Sequence, residues 1–271
     1  MKTAIARSLP GPRLVGAAAL LVLGACGVAL LVSPAHSASL ASRSHWVLAT
    51  ALPTSGDFPA DWGYQLSGWF PRAQTSATTE SSTPPPTGPR AVYAPAACST
   101  IPKLLSRSGA ALAAKAGVDR YTESFIYSAQ LWDAPATGES DRLGPNAELF
   151  IWVVPDGPAQ IANYLDWLHH CGSYQVTNYG FGGRFKNRRT VTTAVESRSP
   201  DRTAAGGAVA VAVARTFTTT AGDSEAPATY HVSYSAVRGV ILECTIYNFD
   251  GADRDLVKQR AAATLARLRT L

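Results

Sequence analysis

The sequence predicts an α+β fold: a twisted, mostly antiparallel sheet packed against two or three helices, in a single extracytoplasmic domain. Three observations lead there. The chain has 271 residues, 46% hydrophobic and 16% charged, which supports a sizeable core and excludes a wholly disordered protein. Its second half runs through clustered strand-like segments joined by hairpin-like links, whereas its helical patterns stand apart. Its N-terminus has the make-up of an export segment, with basic residues before an apolar run.

Residues 1–37 read as a signal or membrane anchor. Lys2, Arg7 and Arg13 precede residues 14–32, which carry no charge. That run approaches the ~20 residues needed to cross a bilayer as a helix. The basic flank holds its own end in the cytoplasm and places the rest outside. Three fates stay open. The segment is retained as an anchor, it is cleaved after Ala35-His36-Ser37, or Leu23-Gly24-Ala25-Cys26 serves as a lipobox with Cys26 lipidated. Residues 27–32 stay apolar, which speaks against the last. The expected partners are the cytoplasmic membrane, through this segment, and an unidentified envelope ligand or protein.

The formal net charge is +5. Without Lys2, Arg7 and Arg13, 21 basic residues face 19 acidic ones. A body so close to neutral argues against a dedicated nucleic-acid binder.

Residues 38–47 read as a short polar linker and 48–271 as the domain. Residues 52–64 form a turn-rich, aromatic-rich opening, with Tyr64 and Leu66 continuing as a strand. Residues 73–89 are almost all Ser, Thr, Pro, Ala and Gly, with Pro84-Pro85-Pro86, and form an exposed extended loop. From Cys98 a short helix is expected, with Ile101, Leu104 and Leu105 on one face and a weak continuation over 110–117. Residues 121–132 alternate like a strand. Residues 148–154 are nearly continuous in apolar side chains, as a strand buried on both faces is.

Pro155-Asp156-Gly157-Pro158 starts a helix, with Asp156 as cap and Pro158 in the first turn. Ile161, Tyr164, Leu165 and Leu168 follow at helical spacing, and Gly172 is placed for a left-handed end. Strands are expected at 191–195, 208–220, 229–237 and 240–247, with Arg238-Gly239 turning the last two into a hairpin. Residues 253–268 are amphipathic, with Leu256, Val257, Ala261, Thr264, Leu265 and Leu268 inward.

Candidate chemistry is sparse. His169-His170-Cys171 resembles a metal corner, but neighbouring helical residues diverge by about 100° and cannot share one ion. Gly180-Phe181-Gly182-Gly183 followed by Arg184, Lys186, Arg188 and Arg189 has the composition of an anion contact, a phosphate or a lipid headgroup. It lacks the Lys-Ser ending of a P-loop, and a solvated basic hairpin is the plainer reading. His231 sits mid-strand with no nucleophile to pair with. Glu123, Glu148 and Glu243 lie near or in strands, where an exposed strand face is the plainer reading and a buried acid the alternative. Trp62, Trp69, Trp132, Trp152 and Trp167 are expected in the core, with a cleft lining as the alternative. No catalytic constellation and no cofactor is expected. Besides Cys26, the body carries Cys98, Cys171 and Cys244. Three is odd, so at least one thiol is free or pairs with another chain, and one bridge plus one buried thiol is expected.

Several features in order resemble a known group. They are Ala96-Ala97-Cys98 after a proline-rich loop, Phe150-Ile151-Trp152-Val153-Val154-Pro155, a helix ending at Cys171, Val240-Ile241-Leu242-Glu243-Cys244, and the terminal amphipathic helix. Over residues 48–271 they resemble the extracellular sensor domain of the mycobacterial serine/threonine kinase H and its stand-alone relatives. Those relatives are lipoproteins and membrane-anchored proteins, many grouped as domains of unknown function. The resemblance implies an antiparallel sheet carrying helices, a cleft able to receive a ligand, and no enzymatic activity. It also implies a Cys98–Cys171 bridge that leaves Cys244 alone, since a further cysteine before that position is missing here. No kinase domain is present. The expectation is thus a non-enzymatic, membrane-tethered or exported envelope protein of sensor-like type. The alternatives are a lipid or glycolipid carrier, an envelope hydrolase with a non-standard site, and a structural envelope protein.

Overall fold

The computed structural model describes residues 38–68, 90–120, 145–199, 209–221 and 224–271. Among them, nine strands form one sheet in the order β1-β3-β4-β9-β8-β7-β6-β5-β2, antiparallel throughout. In chain order these are β1 (Gly63–Gly68), β2 (Arg90–Ala94), β3 (Ala111–Asp119), β4 (Asn146–Val153), β5 (Ser173–Tyr179), β6 (Phe185–Arg198), β7 (Val209–Ala221), β8 (Ser224–Val237) and β9 (Val240–Tyr247). Four α-helices accompany them: α1 (His45–Ala49), α2 (Lys103–Ser106), α3 (Gly157–Cys171) and α4 (Gly251–Thr270). The α+β class and the antiparallel sheet are as the sequence predicts.

The sheet has helices on both faces. Every residue of β9 is buried, because this central strand is covered on each side. On one face Leu149, Ile151, Leu242 and Ile246 pack under Val257, Ala261 and Leu268 of α4 and under Leu40, Leu48 and Leu52. On the other, Val211, Val213, Val232 and Ile241 pack under Ile161 and Tyr164 of α3. A third core gathers Tyr174 and Val191 around the disulfide between Cys98 and Cys171. All three lie within Ser39–Leu271, which is a compact unit by itself. It has the closed core that lets a domain fold alone.

The region read as a linker belongs to this unit. Leu40 is fully buried in a short 3-10 turn, Leu40–Ser42, and its N–H donates to the Arg238 carbonyl at 2.7 Å. Its neighbours are polar, so one apolar residue among them left too little pattern to mark it as core.

The stretch 110–117, expected as weak helix, is mostly strand β3. Its alanines favour a helix locally by only tenths of a kcal/mol per residue. Here β3 pairs with both β1 and β4, and small side chains fit under the N-terminal segment. The expected strand at 121–132 and the loop at 73–89 lie outside the described residues.

Two helix ends also differ from expectation. Asp156 makes no backbone cap at α3; its Oδ1 accepts from Gln160 Nε2 at 2.9 Å. Gly172 is right-handed, at φ −63°, because the chain passes directly into β5. The β8–β9 hairpin is as expected, with Arg238 and Gly239 both at positive φ (49° and 87°), the two-residue turn that suits the twist of paired strands.

Candidate functional site

Alternation along β4 sends Glu148, Phe150 and Trp152 to the α3 side of the sheet. Register then sets Phe150 opposite Glu243 on β9 and opposite Lys115 on β3. Tyr234 on β8 faces Glu243 from the other side. Four strands thus bring carboxylates, cations and rings together beside α3.

Glu243 is 1% exposed, against the expectation of an exposed strand face. Burial raises its carboxyl above the usual carboxylate range, and Arg107 and Trp152 oppose that rise. Arg107 Nη2 donates to Oε1 at 3.0 Å, and Trp152 Nε1 donates to Oε2 at 2.8 Å. The Arg107 guanidinium also lies over two rings, 4.8 Å from the Trp152 centroid and 5.1 Å from that of Phe150, a cation–π arrangement. Lys115 continues the row. Its ammonium lies 5.2 Å from the Phe150 ring and pairs with Glu148. Glu148, at 5% exposure, is the second carboxylate the sequence reading had placed outside.

Arg107 reaches this position through its backbone. It closes the four-residue α2 at φ 54°, ψ 22°, a left-handed conformation that costs a non-glycine residue roughly 1 kcal/mol. Such outliers gather at functional sites. The turn aims Arg107 over the sheet, while Lys103 on α2 stays exposed. Lys103, Arg107, Trp152, Gln160, Tyr234 and Glu243 line a small open pocket whose enclosed space is about 10 Å³, that of about one water. Burial, then the Glu243 charge, holds the Tyr234 hydroxyl well above the usual tyrosine range, so it remains protonated. The pocket presents a buried carboxylate behind a cationic mouth. That arrangement suits recognition of a small polar group.

The other expected sites separate. His169 and His170 are exposed at the end of α3, and Cys171 is in the disulfide. Among the described residues no group of three His, Cys, Asp or Glu is placed to hold a metal. Cys244 is a free, buried thiol, its pKa pushed up to about 12 by burial. His231 has companions the sequence did not show: Nδ1 is 2.7 Å from Glu196 Oε1, and Nε2 is 3.2 Å from Arg254 Nη1. A register shift in β6 between Val195 and Ser197 places Glu196 for this contact. Trp62 stacks on Phe249 at 4.7 Å and Trp167 lies edge-on to Tyr174, both in core roles. The expected anion contact divides by alternation. Arg184, Lys186 and Arg188 are exposed, but Arg189 points into the sheet, with its guanidinium 5.7 Å from the Phe217 ring. Cys26, Trp69, Glu123 and Trp132 lie outside the described residues.

Sequence reading missed Arg107 and Lys115. Lys115 carried a signal, a lone charge in an alanine run, which only the strand assignment would have exposed. For Arg107 no sequence signal exists, because a left-handed arginine is set by its surroundings.

No protein-family model matches the chain, and no curated protein matches it. Among solved structures, the chain is similar to the extracellular domain of PknH from Mycobacterium tuberculosis, at 11% sequence identity and a TM-score of 0.43, over 84% of this chain and 97% of that one. The likeness is one of fold, and no residue role passes from that domain to this chain.

Proposed function

We propose that this chain is an extracytoplasmic, non-catalytic, sensor-like domain that recognises a small polar ligand or a partner's side chain at the Arg107–Glu243–Trp152 pocket. The observation that carries the reading is the buried Glu243 carboxylate at the floor of a solvent-open pocket whose mouth holds two cations. A buried charge is costly unless paired, and here its partner, Arg107, lies in a strained left-handed turn. The mouth suits a ligand with an acceptor or anionic group for Lys103 and a donor for the Glu243 carboxylate. The enclosed space is about 10 Å³, room for about one water and far below the ~300–1,000 Å³ of usual ligand sites, so a single small polar group fits at Glu243 and a lipid chain does not. The N-terminal run of basic then uncharged residues supports the extracytoplasmic placement.

The test is native mass spectrometry of residues 38–271 secreted from an actinobacterial host, before and after organic extraction. A discrete excess mass that extraction removes, and that Lys103→Ala lowers, supports the reading. A clean apoprotein mass counts against a retained small ligand and directs the search to protein partners. Excess mass of acyl-chain composition, unchanged in Lys103→Ala, favours the carrier alternative.

A further inference from the structure

The hairpin joining β5 to β6 ends in an unusual tip. Its turn is Gly180-Phe181-Gly182-Gly183, with Gly182 and Gly183 both at positive φ (70° and 73°). Two bonds close it: Gly180 N–H to the Arg184 carbonyl at 2.8 Å, and Gly183 N–H to the Gly180 carbonyl at 3.2 Å. The closed turn leaves Phe181 outside, at 72% exposure, and Phe185 beside it at 54%. Single exposed apolar side chains are normal on a protein surface, whereas two aromatic ones at one hairpin end begin a patch.

Cations lie on both faces of this hairpin end. Arg184, Lys186 and Arg188 are exposed. Arg90, opposite Tyr179 on β2, lies over the Tyr179 ring at 4.8 Å, and Tyr179 meets the Phe185 ring edge-on at 6.5 Å. The register shift between Asn178 and Tyr179 brings these two rings together. Four cations and two exposed phenylalanines thus lie at one end of the β2–β5–β6 strands.

We infer that this tip docks the folded unit onto a bilayer surface containing anionic phospholipid. Phe181 and Phe185 enter the headgroup–acyl boundary, and Arg90, Arg184, Lys186 and Arg188 meet the lipid phosphates. A free phosphate or a soluble polyanion satisfies the cations and leaves the rings in water. A fluid bilayer surface covers both. Ser39 sits on the β8–β9 turn, and the tip lies at the opposite end of the strands.

Sedimentation of residues 39–271 with two sets of vesicles tests it. One is phosphatidylcholine alone and the other is phosphatidylcholine with phosphatidylglycerol at about 7:3. Binding to the anionic vesicles is expected to be at least about tenfold tighter and to weaken with salt, at about fivefold per cation removed. Phe181→Ser/Phe185→Ser and Arg184→Gln/Lys186→Gln each lower it about tenfold or more, with the far-ultraviolet circular dichroism unchanged. In the unaltered protein, anionic vesicles slow amide exchange at residues 180–186. Equal binding to both vesicle types overturns the inference, as does unchanged exchange at the tip. So does a loss confined to the charge variant, which would mark a phosphate contact without insertion. Binding to heparin as tight as to anionic vesicles, and unaffected in the phenylalanine variant, would mark a polyanion or protein partner and would likewise overturn it.

Discussion

Arg107 Nη2 lies 3.0 Å from Glu243 Oε1 across 136 residues of sequence, and this pair ties the strained end of α2 to the centre of the sheet. Removing Arg107 leaves a buried carboxylate uncompensated, a change that typically costs about 3–5 kcal/mol. Arg107→Ala is therefore expected to be strongly destabilising in urea unfolding at pH 7.

The pH dependence has a definite sign. Burial raises the Glu243 carboxyl above its unfolded value, so the folded state favours its protonation and stability from this group is lost as pH rises through the folded pKa. Arg107 opposes the rise, and its removal raises the folded pKa further. The deficit of Arg107→Ala should then shrink as pH falls from 7 toward 5. A deficit that is constant or grows over that window would show that Glu243 is not the group left unpaired.

The bridge between Cys98 and Cys171 spans 73 residues. In the chain-entropy model, closing such a loop stabilises by about 4 kcal/mol. Cys98→Ser/Cys171→Ser is expected to lose an amount of that order and to loosen the third core around Tyr174. In the oxidised residues 39–271, a thiol reagent should modify one group, Cys244, and only after unfolding. Fast labelling of the native protein would contradict its burial.

Gly239 sits at φ 87°, and a Cβ built on it would lie 2.6 Å from Ser39 Oγ. Gly239→Ala faces both the left-handed conformation and the displacement of a hydroxyl that donates to the Arg238 carbonyl. A loss of about 1–2 kcal/mol is expected. Adding Ser39→Gly should recover the steric part and leave the backbone part, which a double-mutant cycle reads directly.

Arg254 can only donate, so His231 Nε2 accepts and the ring proton resides on Nδ1, donated to Glu196. Long-range nitrogen–proton correlation spectra at neutral pH should show the Nδ1–H form. Arg254→Ala should keep that form, because the Glu196 carboxylate only accepts, whereas Arg254→Ala/Glu196→Ala should release the ring to a mixture of tautomers. An Nε2–H form in the unaltered protein would mean that the Arg254 contact does not hold in solution.

Much of the fold was written in local pattern. The unbroken apolar run of β4, the Arg238-Gly239 turn and the spacing of Ile161 and Tyr164 in α3, or of Val257, Ala261 and Leu268 in α4, each report one buried face. A face imposes its periodicity on the residues nearest in sequence, and so it is legible there. The candidate site is different. Glu148 and Glu243 read as surface residues because a carboxylate in a strand is usually solvated. Their burial depends on Lys115 and Arg107, which arrive from other segments.

The sequence by itself determined most element types, β3 excepted, together with the antiparallel class and the main apolar faces, since propensity and periodicity act over a few residues. Tertiary structure decided which faces met. Pairing with β1 and β4 overrode the helical preference of the alanines in β3, because ladders on both edges outweigh tenths of a kcal/mol. Sheet register set Phe150 opposite Glu243, and a left-handed turn at Arg107 closed the pocket. Alternation in β6 parted Arg189 from Arg184, Lys186 and Arg188. These outcomes rest on charge pairing and packing between residues far apart in the chain, which no local pattern encodes.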